Sequence, residues 1–130
     1  MDERRSALKE ARNLLLKLHK ILMDQDRTRY EFEFGALSAG RFLELLMSDE
    51  RFAWLRVLST LIVRIDEAFD LDDGISEEMI RKFFEETNSL FDETDQFADF
   101  KDKSRAGFAE SSDAAELRKQ IVLIVDKYAW

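Results

Sequence analysis

No proline interrupts this chain of 130 residues, and glycine occurs only four times. Proline makes up about 5% of an average protein. A chain without it needs few rigid turns or forced helix stops, which suits an all-helical protein with short connections. The apolar residues agree. At 100° per residue, Leu8, Ala11, Leu15, Leu18 and Leu22 form a stripe, with Leu14 and Ile21 beside it and Lys9, Asn13, Lys17, Lys20 and Asp24 opposite. This pattern predicts an amphipathic helix from about residue 4 to beyond 29. Leu16 and Met23 widen its apolar arc, as in a central helix or one at a dimer interface.

The next stretch, "DQDRTRYEFEFG" (24–35), carries two signals at once. Tyr30, Phe32 and Phe34 alternate with Glu31 and Glu33 as in a half-buried strand. Its first half continues the helix but sets Arg29 at the centre of the apolar arc. A strand here would have no partner elsewhere in the chain. We therefore expect the helix to fray at Phe32–Phe34 and stop at Gly35, a residue that enters the left-handed conformation without steric cost.

Further helices follow. Ser38 is placed to cap a short one through Met47, and Ser48 or Asp49 to cap the next. From Asp49 to Phe69, Trp54, Leu58, Leu61, Ile65 and Phe69 share a side with Leu55, Ile62 and Ala68. Ser76 suits another cap, with Glu77 and Glu78 at the positive helix start and Ile75 and Ile80 at hydrophobic-staple spacing. Met79, Ile80, Phe83, Phe84, Leu90 and Phe91 then line one face. A turn near Asp92–Asp95 leads to a segment with Phe97, Phe100 and Phe108. Asp113 and Glu116 have capping-box spacing before Leu117, Ile121, Ile124 and Tyr128. The run "IVLIV" reads as helix because of its period and the preceding "DAAELRKQ". The expectation is one all-α domain over residues 1–130, a compact bundle of five or six helices.

Composition excludes several chemistries. No cysteine is present, so disulfides, thiol catalysis and thiolate metal sites are out. The net charge is −8. Residues 1–29 hold eight basic and five acidic side chains (+3), residues 30–75 four and ten (−6), and residues 76–103 four and nine (−5). Most of that surface repels a nucleic-acid backbone, so no nucleic-acid partner is expected. No apolar run approaches the ~20 residues of a membrane span and the N-terminus lacks a signal-peptide pattern, so a soluble, cytoplasmic domain without membrane contact is expected. At "DEAFDLDDGISEE" an EF-hand register with Gly74 sixth places Phe69, Leu71 and Ile80 at ligand positions 1, 3 and 12, so that reading fails. With His19 the sole imidazole, neither a dimetal carboxylate site nor a zinc or haem site is supported, and no cofactor is expected.

One candidate site remains. His19, Asp26, Arg29, Tyr30 and Glu33 form a strip of imidazole, acid, base and phenol along the first helix. As a pocket, Arg29 would hold an anionic ligand and the His19–Asp26 pair would move a proton. As a structural network, the helix outruns the bundle and its charges pair at i+3 and i+4, with Asp26 or Glu33 neutralising Arg29. No glycine-rich phosphate loop or nucleophile elbow occurs. Such sparse chemistry fits a protein-interaction or structural module better than an enzyme. Leu16, Met23, Phe52, Val63, Val122 and Leu123 lie off their helices' stripes and suggest a homodimer or an unidentified protein partner.

The segments "LLKLHKILMDQDRTRYEFEFG" and "FLELLMSDERFAWLRVLSTLIVRIDE" resemble a functionally uncharacterised family of small bacterial helical proteins, over about residues 12–67. The likeness is carried by His19 with "DRTRYE" (26–31), by "FAWLR" (52–56) and by "LIVRIDE" (61–67). It departs at Val57, where the family has proline, and in the C-terminal helix. The resemblance implies a helical fold and no particular activity, and it suggests that Arg56, Arg64 and Asp66 lie near the Asp26–Arg29 strip.

Overall fold

The computed structural model describes residues 2–128. Its dominant element is α1 (Asp2–Phe34), 33 residues long, or about 50 Å at 1.5 Å per residue. The apolar stripe predicted for it is the buried one: Leu8, Leu15, Leu18 and Leu22 are almost fully enclosed. Around this rod pack α3 (Ala53–Phe69), α4 (Glu77–Phe91), α5 (Ala98–Glu110) and α6 (Ser112–Tyr128), while α2 (Ala39–Ser48) rests on α3. A single 3₁₀ turn, Glu50–Phe52, joins α2 to α3. No strand occurs among the described residues. The result is a six-helix, all-α bundle, as the periodicity predicts.

Helix ends follow the capping chemistry of the sequence. Gly35 terminates α1 with φ +98°, its N–H donating to the Glu31 carbonyl at 2.8 Å. Both polar backbone groups of Leu37 are then held by α1: Arg27 donates to its carbonyl at 2.9 Å and its N–H donates to the Glu31 carboxylate at 2.7 Å. Those two bonds fold the link back and start α2 beside the end of α1. Ser38 and Ser76 accept from the N–H groups of Arg41 and Met79, as N-caps do. Ile75 and Ile80 are both buried beneath the second cap, completing the staple.

Several details differ from expectation. The cap of α6 is Ser111, which accepts from the Ala114 N–H at 3.1 Å, so the helix begins before Asp113. Ser111 also closes α5, its N–H donating to the Gly107 carbonyl. On α4, Met79 is exposed whereas Thr87 is buried. The Thr87 hydroxyl satisfies itself by donating to the Phe83 carbonyl at 2.7 Å. Phe52 is fully buried, because the 3₁₀ turn rotates it away from the face a continuous helix would give it. Of the other off-stripe residues, Leu16, Val63 and Leu123 are exposed and Met23 and Val122 half-buried.

Where α1 crosses α5, the packing depends on a missing side chain. A Cβ on Gly107 would lie 2.5 Å from Leu22 Cδ2 and 2.6 Å from Gln25 Oε1. The close approach lets Gln25 Nε2 donate to the Gly107 carbonyl at 3.2 Å. The α4–α5 turn is held by Asp92, whose Oδ1 accepts from the Thr94 hydroxyl, the Thr94 N–H and Lys101 Nζ. At its end Phe97 adopts φ +55°, a left-handed conformation uncommon for an aromatic residue, before α5 begins.

Candidate functional site

The strip on α1 sits where that helix leaves the bundle. Asp26 is the last residue of its buried stripe, 7% exposed, and its Oδ2 accepts the Trp54 indole N–H at 3.3 Å. One turn on, at nearly the angular position of Leu22, stands Arg29. Its guanidinium is 3.9 Å from Asp26 Oδ1 and donates to Glu110 Oε2 at 2.8 Å, at the end of α5. The cation at the centre of the apolar arc is thus explained: the core has ended, and two carboxylates neutralise it. Glu33 does not pair with Arg29; it accepts from Arg51 Nη1 at 3.2 Å.

Tyr30 turns toward the corner made by α2 and the 3₁₀ turn. Its ring lies 4.8 Å from Phe34 and 6.0 Å from Phe52, with the Arg51 guanidinium 5.4 Å above it. Tyr30 therefore packs as an aromatic. His19 stands apart, seven residues or about 10 Å along the axis from Asp26. It takes no hydrogen bond or ion pair among the described residues, and burial alone pushes its imidazole below the usual range. The His19–Asp26 proton pair is not formed.

The structure therefore gathers Asp26 with Arg29, and Tyr30 with Glu33 through Arg51, and leaves His19 out. Trp54, Arg51 and Glu110 complete the arrangement and were not evident from the sequence. Trp54 alone had a signal that could have revealed it, since a buried indole N–H requires an acceptor and Asp26 is an acid at the end of the buried stripe. Nothing in sequence marks Arg51 or Glu110. The residues the resemblance suggested lie elsewhere: Arg56 donates to the Leu46 and Asp49 carbonyls at the end of α2, Arg64 pairs with Glu86, and Asp66 holds Arg12. Arg12 is 14 residues, or about 21 Å, before Asp26 on the same helix.

Beyond the charges lies an apolar surface. Thr28, Arg29, Phe32, Glu33 and Arg51 line an open groove. Phe32 at its edge is 95% exposed, and Phe34 is exposed as well. On α2, Phe42 and Leu45 face inward, so Leu43 and Met47, four residues apart, share the outer face and are both exposed. Four large apolar side chains on α1 and α2 thus reach solvent.

Among the described residues no three His, Asp or Glu side chains gather as a metal site, and no helix is long and apolar enough to cross a membrane. Comparison with protein-family models, with curated proteins and with solved structures finds no match.

Proposed function

We propose that the chain is a non-enzymatic protein-interaction module that docks through the end of the bundle where α1 meets α2. The observation that carries this reading is Phe32, a large apolar side chain 95% exposed, with Phe34, Leu43 and Met47 also exposed on α1 and α2. A side chain that contributes nothing to its own core gains free energy only when something else covers it. The acidic character of the chain and the lack of a phosphate-binding loop fit a protein partner better than a nucleic acid. No cofactor is invoked.

The other reading, an anionic small-molecule site on His19, Asp26, Arg29, Tyr30 and Glu33, loses support from the pairing. His19 stands apart from Asp26, Glu33 is paired with Arg51, and the groove beside Arg29 is open rather than enclosing. The test compares the wild-type chain with a Phe32→Ser/Met47→Ser variant. Both substitutions are at exposed sites, so the thermal midpoint should not fall. Used as baits side by side, the wild type should retain a protein that the variant loses. Equal retention by both, or a bound anion lost on Arg29→Gln, would overturn the reading.

A further inference from the structure

We infer that the groove beside Phe32 receives a second copy of this chain, in an antiparallel, two-fold arrangement of the last turns of α1. The inference rests on the interaction-module reading above and names its partner. Three observations lead to it. First, the protruding side chain and the groove belong to one patch: Phe32 rises from the rim of a depression lined by its own helix neighbours Thr28, Arg29 and Glu33 and by Arg51. Two copies related by a two-fold axis each offer a projection and a recess, the self-complementarity an isologous contact requires.

Second, the charge order along the helix is self-complementary. In "RTRYEFEF" the bases Arg27 and Arg29 precede the acids Glu31 and Glu33. Laid antiparallel with the axis near residues 30–31, Arg29 of each copy approaches Glu33 of the other, and Thr28 approaches Phe32. A parallel pairing would set like charges together. Third, the patch is nearly balanced although the chain carries −8: Arg29 and Arg51 stand against Asp26, Glu110 and Glu33. Two acidic molecules therefore approach here against less repulsion than the net charge implies, and the face offers little excess charge to select a basic or acidic peptide.

The exposed Phe32 of each copy, the two together, supplies on the order of 400 Å² of aromatic surface. That is below the standard interface of about 1,600 Å², so the dimer is weak and forms as concentration rises. Sedimentation velocity up to millimolar protein should show reversible dimerisation, weakened at least tenfold by Phe32→Ser. Arg29→Glu and Glu33→Arg should each abolish it, since each sets like charges against one another across the axis. Mixing those two variants should restore a dimer, because both cross-axis contacts again join opposite signs. Thermal unfolding verifies that each variant is folded, and Phe32→Ser serves should a charge reversal fail to fold. A chain monomeric at every concentration overturns the inference, while bait retention lost in Phe32→Ser/Met47→Ser would still uphold the module. A dimer that survives Phe32→Ser also overturns it, placing the contact elsewhere.

Discussion

Removing the indole N–H that serves Asp26 gives the sharpest test of how α1 ends. In Trp54→Phe the aromatic packing against Phe100, centroid distance 6.1 Å, is largely kept. The donor to a carboxylate only 7% exposed is lost. A hydrogen bond to a charged group contributes about 1.5–3 kcal/mol, and an unsatisfied buried acceptor costs a similar amount. At 3.3 Å this bond is longer than the usual 2.7–3.2 Å range, which places it at the lower end. Arg29, 3.9 Å away, offers only partial compensation. We expect Trp54→Phe to cost about 2 kcal/mol, including the smaller ring's lost packing, and to lower the thermal midpoint by roughly 4–8 °C. A double-mutant cycle with Asp26→Leu isolates the polar share. With both partners apolar, nothing is left unsatisfied, so the double variant should be more stable than the two single losses imply, by about 1 kcal/mol. Urea unfolding followed by circular dichroism measures all four proteins. Should Trp54→Phe cost the same in the wild-type and Asp26→Leu backgrounds, the bond contributes nothing and the account of Asp26 as a paired terminus fails.

The two helical glycines should respond oppositely to alanine. Gly40→Ala meets nothing within 4 Å and should stabilise by about 0.5–1 kcal/mol, whereas Gly107→Ala pushes into Leu22 and Gln25, and overpacking of about 1–3 kcal/mol should exceed the gain in helix propensity. Calorimetry decides both signs. Asp92, held down to about 2 by the Thr94 hydroxyl, then Lys101 and the Thr94 N–H, contributes stability that is present above about pH 4 and lost as pH falls toward 2. Carboxyl NMR should find that low value in the wild type and a return toward the ordinary range in Thr94→Val. His19 has the same direction in a higher window. Its folded pKa lies below the unfolded 6.5, so the unfolded chain binds the proton first, and stability present above about 6.5 declines as pH drops through the folded value. In His19→Gln the unfolding midpoint should lose that slope between neutral and mildly acidic pH.

The fold was legible because it rests on local rules. A stripe such as Leu8–Leu15–Leu22 has one way to bury itself, and Ser38, Ser76 and Gly35 act on backbone groups within four residues. Where two local signals competed, the geometry had to arbitrate. Ser111 captured the α6 cap from Asp113 because it also ends α5. The 3₁₀ turn broke the phase of α3 and sent Phe52 inward. The strip was legible only as far as α1 itself, where Asp26 and Arg29 are one turn apart. Its partners Glu110, Arg51 and Trp54 lie 81, 18 and 28 residues from the side chains they bind. Sequence spacing carries no trace of such pairings.

The central position of α1 also constrains how the chain acquires its shape during synthesis. The rod is complete at Phe34, yet α6, one of the helices that cover it, begins at Ser112, 112 − 34 = 78 positions later. Until then the leucines of α1 have only part of their shelter, and a nascent chain must carry that open seam while most of its residues are still being added. Loop closure over such a span slows the final step. The vulnerable interval of this molecule is therefore translation, when a holding chaperone that recognises the uncovered seam would protect it most.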